Sequence, residues 1–246
     1  MVLFLTSTLG ENYIDADGKT RACVISRENG LLDNLRNFIP EKANGVIISS
    51  APDNYAVNDS VRDIMSESFA MSGFCLKELW NCDGRNADKA KEFLKESEFV
   101  ILAGGHVPTE NRFFNKIGLR ALIKDYEGTV IGISAGTMNC AGTVYAPPEL
   151  DGEALAPDYE RYLKGLGLTD INVFPHLQYL RTVELDGFNM VRDIALPDSC
   201  IRPFYGLNDG SYILSQNCEN TLYGEAYYFS GGMERKICEK ERNIRI

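Results

Sequence analysis

The stretch Val130-Ile131-Gly132-Ile133-Ser134-Ala135-Gly136-Thr137-Met138 decides how the chain is read. An apolar run ends in Gly-x-Ser-x-Gly and gives way to small residues suited to a helix start. A strand followed at once by a helix forces a sharp turn, and a serine at its apex presents its hydroxyl outward. Glycines at 132 and 136 remove side chains that would collide with neighbouring strands. The helix start offers free N–H groups and the positive end of its dipole. An oxyanion is favoured there, with the Ala135 N–H placed to donate to it. Ser134 is therefore a candidate nucleophile; the competing reading is a plain N-cap serine in a Gly-rich turn.

Outward from this turn, apolar runs recur at Val2–Thr6, Gly45–Ser50, Phe74–Trp80, Phe99–Ala103 and Ile171–Phe174. Several lack alternation, which predicts parallel strands covered on both faces. Helical spacing fills the gaps at Leu31–Phe38, Ser60–Met71, Ala87–Glu96 and Asn111–Tyr126, so most repeats have the size of a βαβ unit. Ile201–Tyr205, Tyr212–Ser215, Leu222–Phe229 and Lys236–Cys238 predict short strands, separated by turn-forming residues. They are expected as antiparallel hairpins on the sheet edge. No linker or repeat interrupts the chain, which predicts a single α/β domain over residues 1–246.

Composition narrows the function. The 246 residues are 44% apolar and 24% charged, with a net charge of −10. These are ordinary globular proportions, and the negative charge disfavours nucleic acid or anionic membrane as a partner. The basic residues from Arg235 to Arg245 are interrupted by glutamates and read as a solvated edge. No apolar run reaches the ~18 residues of a membrane span, and the N-terminus lacks the features of a signal peptide. Seven cysteines without CxxC or clustered histidines argue against a disulfide framework or a zinc site. A cytoplasmic location is the expectation, as is a monomer or small homo-oligomer.

A serine nucleophile needs a base, and the chain has only two histidines, His106 and His176. His176 follows Ile171-Asn-Val-Phe-Pro175, where a strand leaves the sheet on the edge that binds ligands in open α/β folds. It is the candidate base. His106 follows Gly104-Gly105, whose bare backbone can approach a ligand and aim an N–H at it. Gly105 is thus the candidate second oxyanion donor, and His106 a pocket or surface residue. An acid should orient the imidazole; Glu184, Asp186, Asp193, Asp198 and Asp209 all follow His176. Asp209 lies in Gly206-Leu207-Asn208-Asp209-Gly210, which also reads as an ordinary turn.

Taken in order, Gly104-Gly105, Gly132-Ile-Ser134-Ala-Gly136, Phe174-Pro-His176 and Gly206-Leu-Asn-Asp209-Gly210 resemble peptidase E, the aspartyl dipeptidase family of serine peptidases with cyanophycinase among its relatives. The resemblance runs from Met1 to about Ser215. It implies a flavodoxin-like, class I glutamine amidotransferase-like three-layer sandwich. The central sheet would be mostly parallel, with C-terminal antiparallel hairpins. It also implies a triad in the order Ser134, His176, Asp209, an oxyanion hole at Gly105 and Ala135, and no cofactor or metal. The implied reaction cleaves small peptides, N-terminal Asp dipeptides among them, through an acyl-enzyme. Asp209 stands where peptidase E carries Glu. The Gly-Gly loop continues His106-Val-Pro-Thr-Glu-Asn-Arg112 instead of Asn-Thr-Phe. An aspartyl substrate would want a cation, and Arg112, Arg181 and the nearby His106 are the candidate pocket residues. The rival functions are an exopeptidase or esterase of other specificity, and a catalytically weak binding or sensor protein.

Overall fold

Strands whose successive residues are all apolar must be covered on both sides. In the computed structural model, which describes residues 1–10 and 13–246, five parallel strands form the heart of the protein, all but the edge strand following this pattern save at a terminal residue. They are β1 (Val2–Thr6), β2 (Asn44–Ile48), β3 (Glu78–Cys82), β4 (Phe99–Leu102) and β5 (Thr129–Ile133), in the order β1-β5-β4-β2-β3. Leu3, Val46, Val100 and Val130 face one core, and Phe4, Ile47, Ile101 and Ile131 the other. On the second face pack Leu31, Leu32 and Leu35 of α1 (Leu31–Phe38) and Phe69 of α2 (Tyr55–Met71). The first face is covered by α3 (Ala90–Glu96), α4 (Val107–Lys116) and α5 (Leu119–Ile123), through Leu94, Phe113, Phe114, Leu119 and Ile123. The result is the expected helix–sheet–helix sandwich.

The last third supplies β6 (Val173–Phe174), β7 (Phe204–Leu207), β8 (Tyr212–Gln216), β9 (Glu219–Tyr223), β10 (Ala226–Ser230), β11 (Met233–Cys238) and β12 (Asn243–Arg245). Of these, β8, β9 and β12 extend the main sheet antiparallel beyond β1, as expected of edge hairpins. The others form a second sheet, β6-β7-β10-β11, and there the expectation needs correcting. Leu222–Phe229 reads as one strand in the sequence, but Gly224 turns the chain at φ 88° and sends its halves to different sheets. The second sheet has its own aromatic core, with Tyr145 stacked on Phe204 at 4.6 Å and Phe204 on Phe229 at 5.0 Å. That core draws the Ile171–Phe174 run away from the main sheet, so β6 pairs parallel with β7.

All five parallel strands end at one edge. Ser7, Ser49, Asp83, Gly104 and Ser134 follow them within two residues. Among the described residues no helix is long and apolar enough to cross a membrane.

Candidate active site

Ser134 connects β5 to the short helix α6 (Ala135–Asn139) with φ 51° and ψ −113°. A non-glycine residue in such a conformation stores roughly 1–3 kcal/mol of strain and persists only when its surroundings hold it. Here they do. The Ser134 N–H donates to Thr6 O at 3.0 Å, and the Gly136 N–H to Ala103 O at 3.0 Å. Thr137 Oγ1 accepts from the Thr6 N–H at 2.9 Å and donates to Thr6 O at 2.7 Å. The turn is tight enough that a Cβ on Gly136 would lie 2.2 Å from Leu102 O, and one on Gly132 2.7 Å from Thr137 Cα. With the flanking amides engaged, the Ala135 N–H has no hydrogen-bond partner among the described residues.

Beside Ser134 lies the Gly104-Gly105 loop, both glycines exposed. A Cβ on Gly104 would sit 3.3 Å from that of Ser134. Ser50 Oγ donates to Gly104 O at 2.6 Å. Because the peptide is trans, the Gly105 N–H points away from Ser50. Ser50 thus fixes the orientation of the amide that the sequence singles out, a role with no motif to announce it.

His176 and Asp209 leave adjacent strands of the second sheet. Val173 pairs with Tyr205 and Phe174 with Gly206, so the two chain exits lie side by side. His176 adopts the left-handed conformation, φ 56° and ψ 31°, and heads the short helix α7 (Leu177–Leu180). Its N–H donates to Ser7 Oγ at 3.3 Å. His176 Nδ1 lies 2.6 Å from Asp209 Oδ1. An ionised carboxylate only accepts, so Nδ1 carries the hydrogen, and in the neutral ring Nε2 keeps its lone pair. Nε2 has no partner among the described residues. Gln178, two residues on, clamps the acid at its other oxygen: its Nε2 donates to Asp209 Oδ2, and its Oε1 accepts from the Asp209 N–H at 3.0 Å.

The other acids are engaged elsewhere. Asp186 accepts from the Gly152 and Ala154 amides. Asp193 pairs with Arg192, which holds its carboxyl down at about 2. Asp198 accepts from the Tyr145 hydroxyl at 2.9 Å, and burial raises its pKa. Glu184 is exposed on a two-residue strand.

Ser134 and His176 line one cavity of about 260 Å³, with Pro147 and Pro148 also on its wall. Glu149 stands at its mouth and accepts from the Val107 N–H at 3.1 Å. Surrounding protein and neighbouring Glu153 push its pKa up to about 7, while solvent reaches its open side and tempers the effect. Glu153 caps the Glu149 and Leu150 amides with one oxygen and meets His106 Nε2 at 3.0 Å with the other. His106 Nδ1 meets Thr109 Oγ1 at 2.8 Å. His106 therefore fastens the 149–153 turn to the Gly-Gly loop and does not line the cavity. Neither candidate arginine lines it either. Arg112 is exposed and donates to Thr109 Oγ1. Arg181 forms a two-point ion pair with Glu234, at 3.0 and 2.8 Å, and lies over the Tyr227 ring.

The model of peptidase family S51 matches residues 27–223, a span that contains Ser134, His176 and Asp209. The chain belongs to peptidase family S51. Membership makes it a serine-type peptidase, a hydrolase. Two solved structures resemble this S51 peptidase along almost its whole length. One is a peptidase from an acI-B1 Actinobacterium, with 13% identity and a TM-score of 0.64 over 100% of this chain and 96% of that one. The other is a candidate peptidase E protein from Listeria monocytogenes EGD-e, with 16% identity and a TM-score of 0.60 over 96% and 98%. At such identities the likeness concerns the fold. The comparison with curated proteins gave no match.

Proposed function

We propose that this S51 peptidase cleaves short peptides through an acyl-enzyme on Ser134. The observation that carries the reading is the His176–Asp209 contact at 2.6 Å, with His176 and Ser134 lining one cavity. Ser134 Oγ attacks the scissile carbonyl while His176 Nε2 takes its proton. Asp209 holds the imidazole in the required tautomer and stabilises its charged form. The Gly105 and Ala135 amides receive the oxyanion that develops; one such donor is worth about 10²–10³ in rate. His176 then gives its proton to the leaving amine, and water activated by the same histidine releases the acyl group.

The test is hydrolysis of a dipeptide panel with a simple ester alongside, comparing the native protein with Ser134→Ala. Labelling with a small fluorophosphonate is read on the same two proteins. Cleavage and labelling that both vanish in the variant support the reading. Peptide cleavage that survives the substitution sinks it.

A further inference from the structure

The cavity beside Ser134 has one-sided chemistry. Met138, Phe174, Leu180, Val183, Leu185 and Met190, together with three prolines, supply most of its wall, and Met138, Phe174 and Met190 are almost wholly enclosed. Apart from His176, the one charged side chain on it is Glu149; among the described residues, no lysine or arginine lines it. The cations nearest in sequence to the active loops are committed: Arg181 to Glu234, and Arg112 to an exposed face of α4. A substrate carboxylate entering here would lose its water, find no counter-charge and face Glu149. At about 260 Å³ the cavity lies below the ~300–1,000 Å³ of sites for drug-sized ligands, and it suits a single side chain.

We infer that this cavity selects an apolar side chain on the residue that acylates Ser134, and that Glu149 at its mouth receives the free α-ammonium of that same residue. The inference rests on the proposed acylation of Ser134. An apolar side chain that fills the cavity sheds water from both surfaces. The remaining charge on an N-terminal residue is then its ammonium, and Glu149 is the carboxylate within the same enclosure. The Val107 N–H and the Glu153 cap hold the Glu149 backbone and side chain in position. The substrate class is therefore a short peptide with an N-terminal aliphatic or aromatic residue.

The experiment compares kcat/KM for Leu-, Met- and Phe-initiated dipeptides with Asp- and Lys-initiated ones and with an N-acetylated Leu dipeptide. It uses the native protein, Glu149→Gln and Val183→Arg, with fluorophosphonate labelling of Ser134 in parallel. The expected result is at least a ~100-fold preference for the apolar series over Asp, given that one methylene in such a pocket is worth about 10–200-fold. Glu149→Gln should lower the free-amine to N-acetyl ratio about tenfold. Val183→Arg, on the half-buried part of the wall, should shift the preference toward Asp. A labelled Ser134 combined with preference for Asp or Lys, or with no cleavage of any dipeptide, overturns the pocket inference alone. An unlabelled Ser134 overturns the acylation reading on which it rests.

Discussion

Gln178→Ala tests whether the orientation of the acid matters. Gln178 makes two bonds to Asp209, one to the carboxylate and one from the backbone N–H. A hydrogen bond to a charged group contributes about 1.5–3 kcal/mol, and solvent access places this one near the lower end. The Asp209 side chain is 38% exposed. If the loss is felt as misorientation of His176, kcat falls about tenfold, since 1.4 kcal/mol is a factor of ten. Gln178→Glu keeps the acceptor but turns the donor into a second carboxylate. Two unit charges about 4 Å apart repel by ~1 kcal/mol in water-like surroundings, a further factor of about five. Steady-state kinetics on a Ser134-dependent substrate provide the assay, with thermal unfolding to confirm that both variants fold. A Gln178→Ala enzyme within twofold of the native kcat would refute the reasoning. A change confined to KM would make Gln178 a substrate contact instead.

Ser134→Ala and His176→Ala should each remove at least ~10³-fold of turnover, and the double variant little more, because groups that act as a unit are not additive; full activity in either single variant would dissolve the triad. Ser50→Ala frees the Gly104 carbonyl and lets the Gly105 amide wander, so kcat should fall about tenfold with KM nearly constant, read on the same substrate. Glu110 of α4 is fully enclosed; Asn139 Nδ2 donates to its Oε2 at 2.9 Å, its Oε1 has no partner among the described residues, and burial raises its pKa well above the ordinary range. Its raised folded pKa means that its contribution to stability is whole below about pH 4.5 and is lost as pH rises through the folded value, at up to ~1.4 kcal/mol per unit. Urea midpoints from pH 5 to 9 should therefore decline more steeply in the native protein than in Glu110→Gln; parallel curves would exclude Glu110 as the source.

The layering was legible because β1, β2, β4 and β5 are mostly apolar without alternation, as expected of a sheet covered on both faces. The nucleophile turn was legible because its constraints are local: two glycines and a serine within five residues. The scarcity of histidine reduced the base to a choice of two. Asp209 was harder, because its surroundings also spell a turn, and only the exit of β7 beside β6 brings it to His176. The second sheet was hidden because Gly224 turns what reads as one continuous strand, and because its aromatic core joins residues from 145 to 229. Gln178, Ser50 and Glu149 gave no signal. Each acts through a long-range partner that no periodicity records. The arginines misled for the same reason in reverse: a cation beside an active loop in sequence is free to point elsewhere, and Arg181 is held by Glu234.

The split between two sheets has a mechanical consequence. Ser134 belongs to the large parallel sheet, whereas His176 and Asp209 are carried by neighbouring strands of the small one. In the proposed mechanism the proton acceptor and its orienting acid thus share one sheet, and the attacking oxygen sits on the other. A slight sliding of one sheet against the other changes the reach from hydroxyl to imidazole while leaving the imidazole–carboxylate contact intact. The tolerance that governs reactivity is therefore set at the seam between the sheets as well as at the reacting groups themselves.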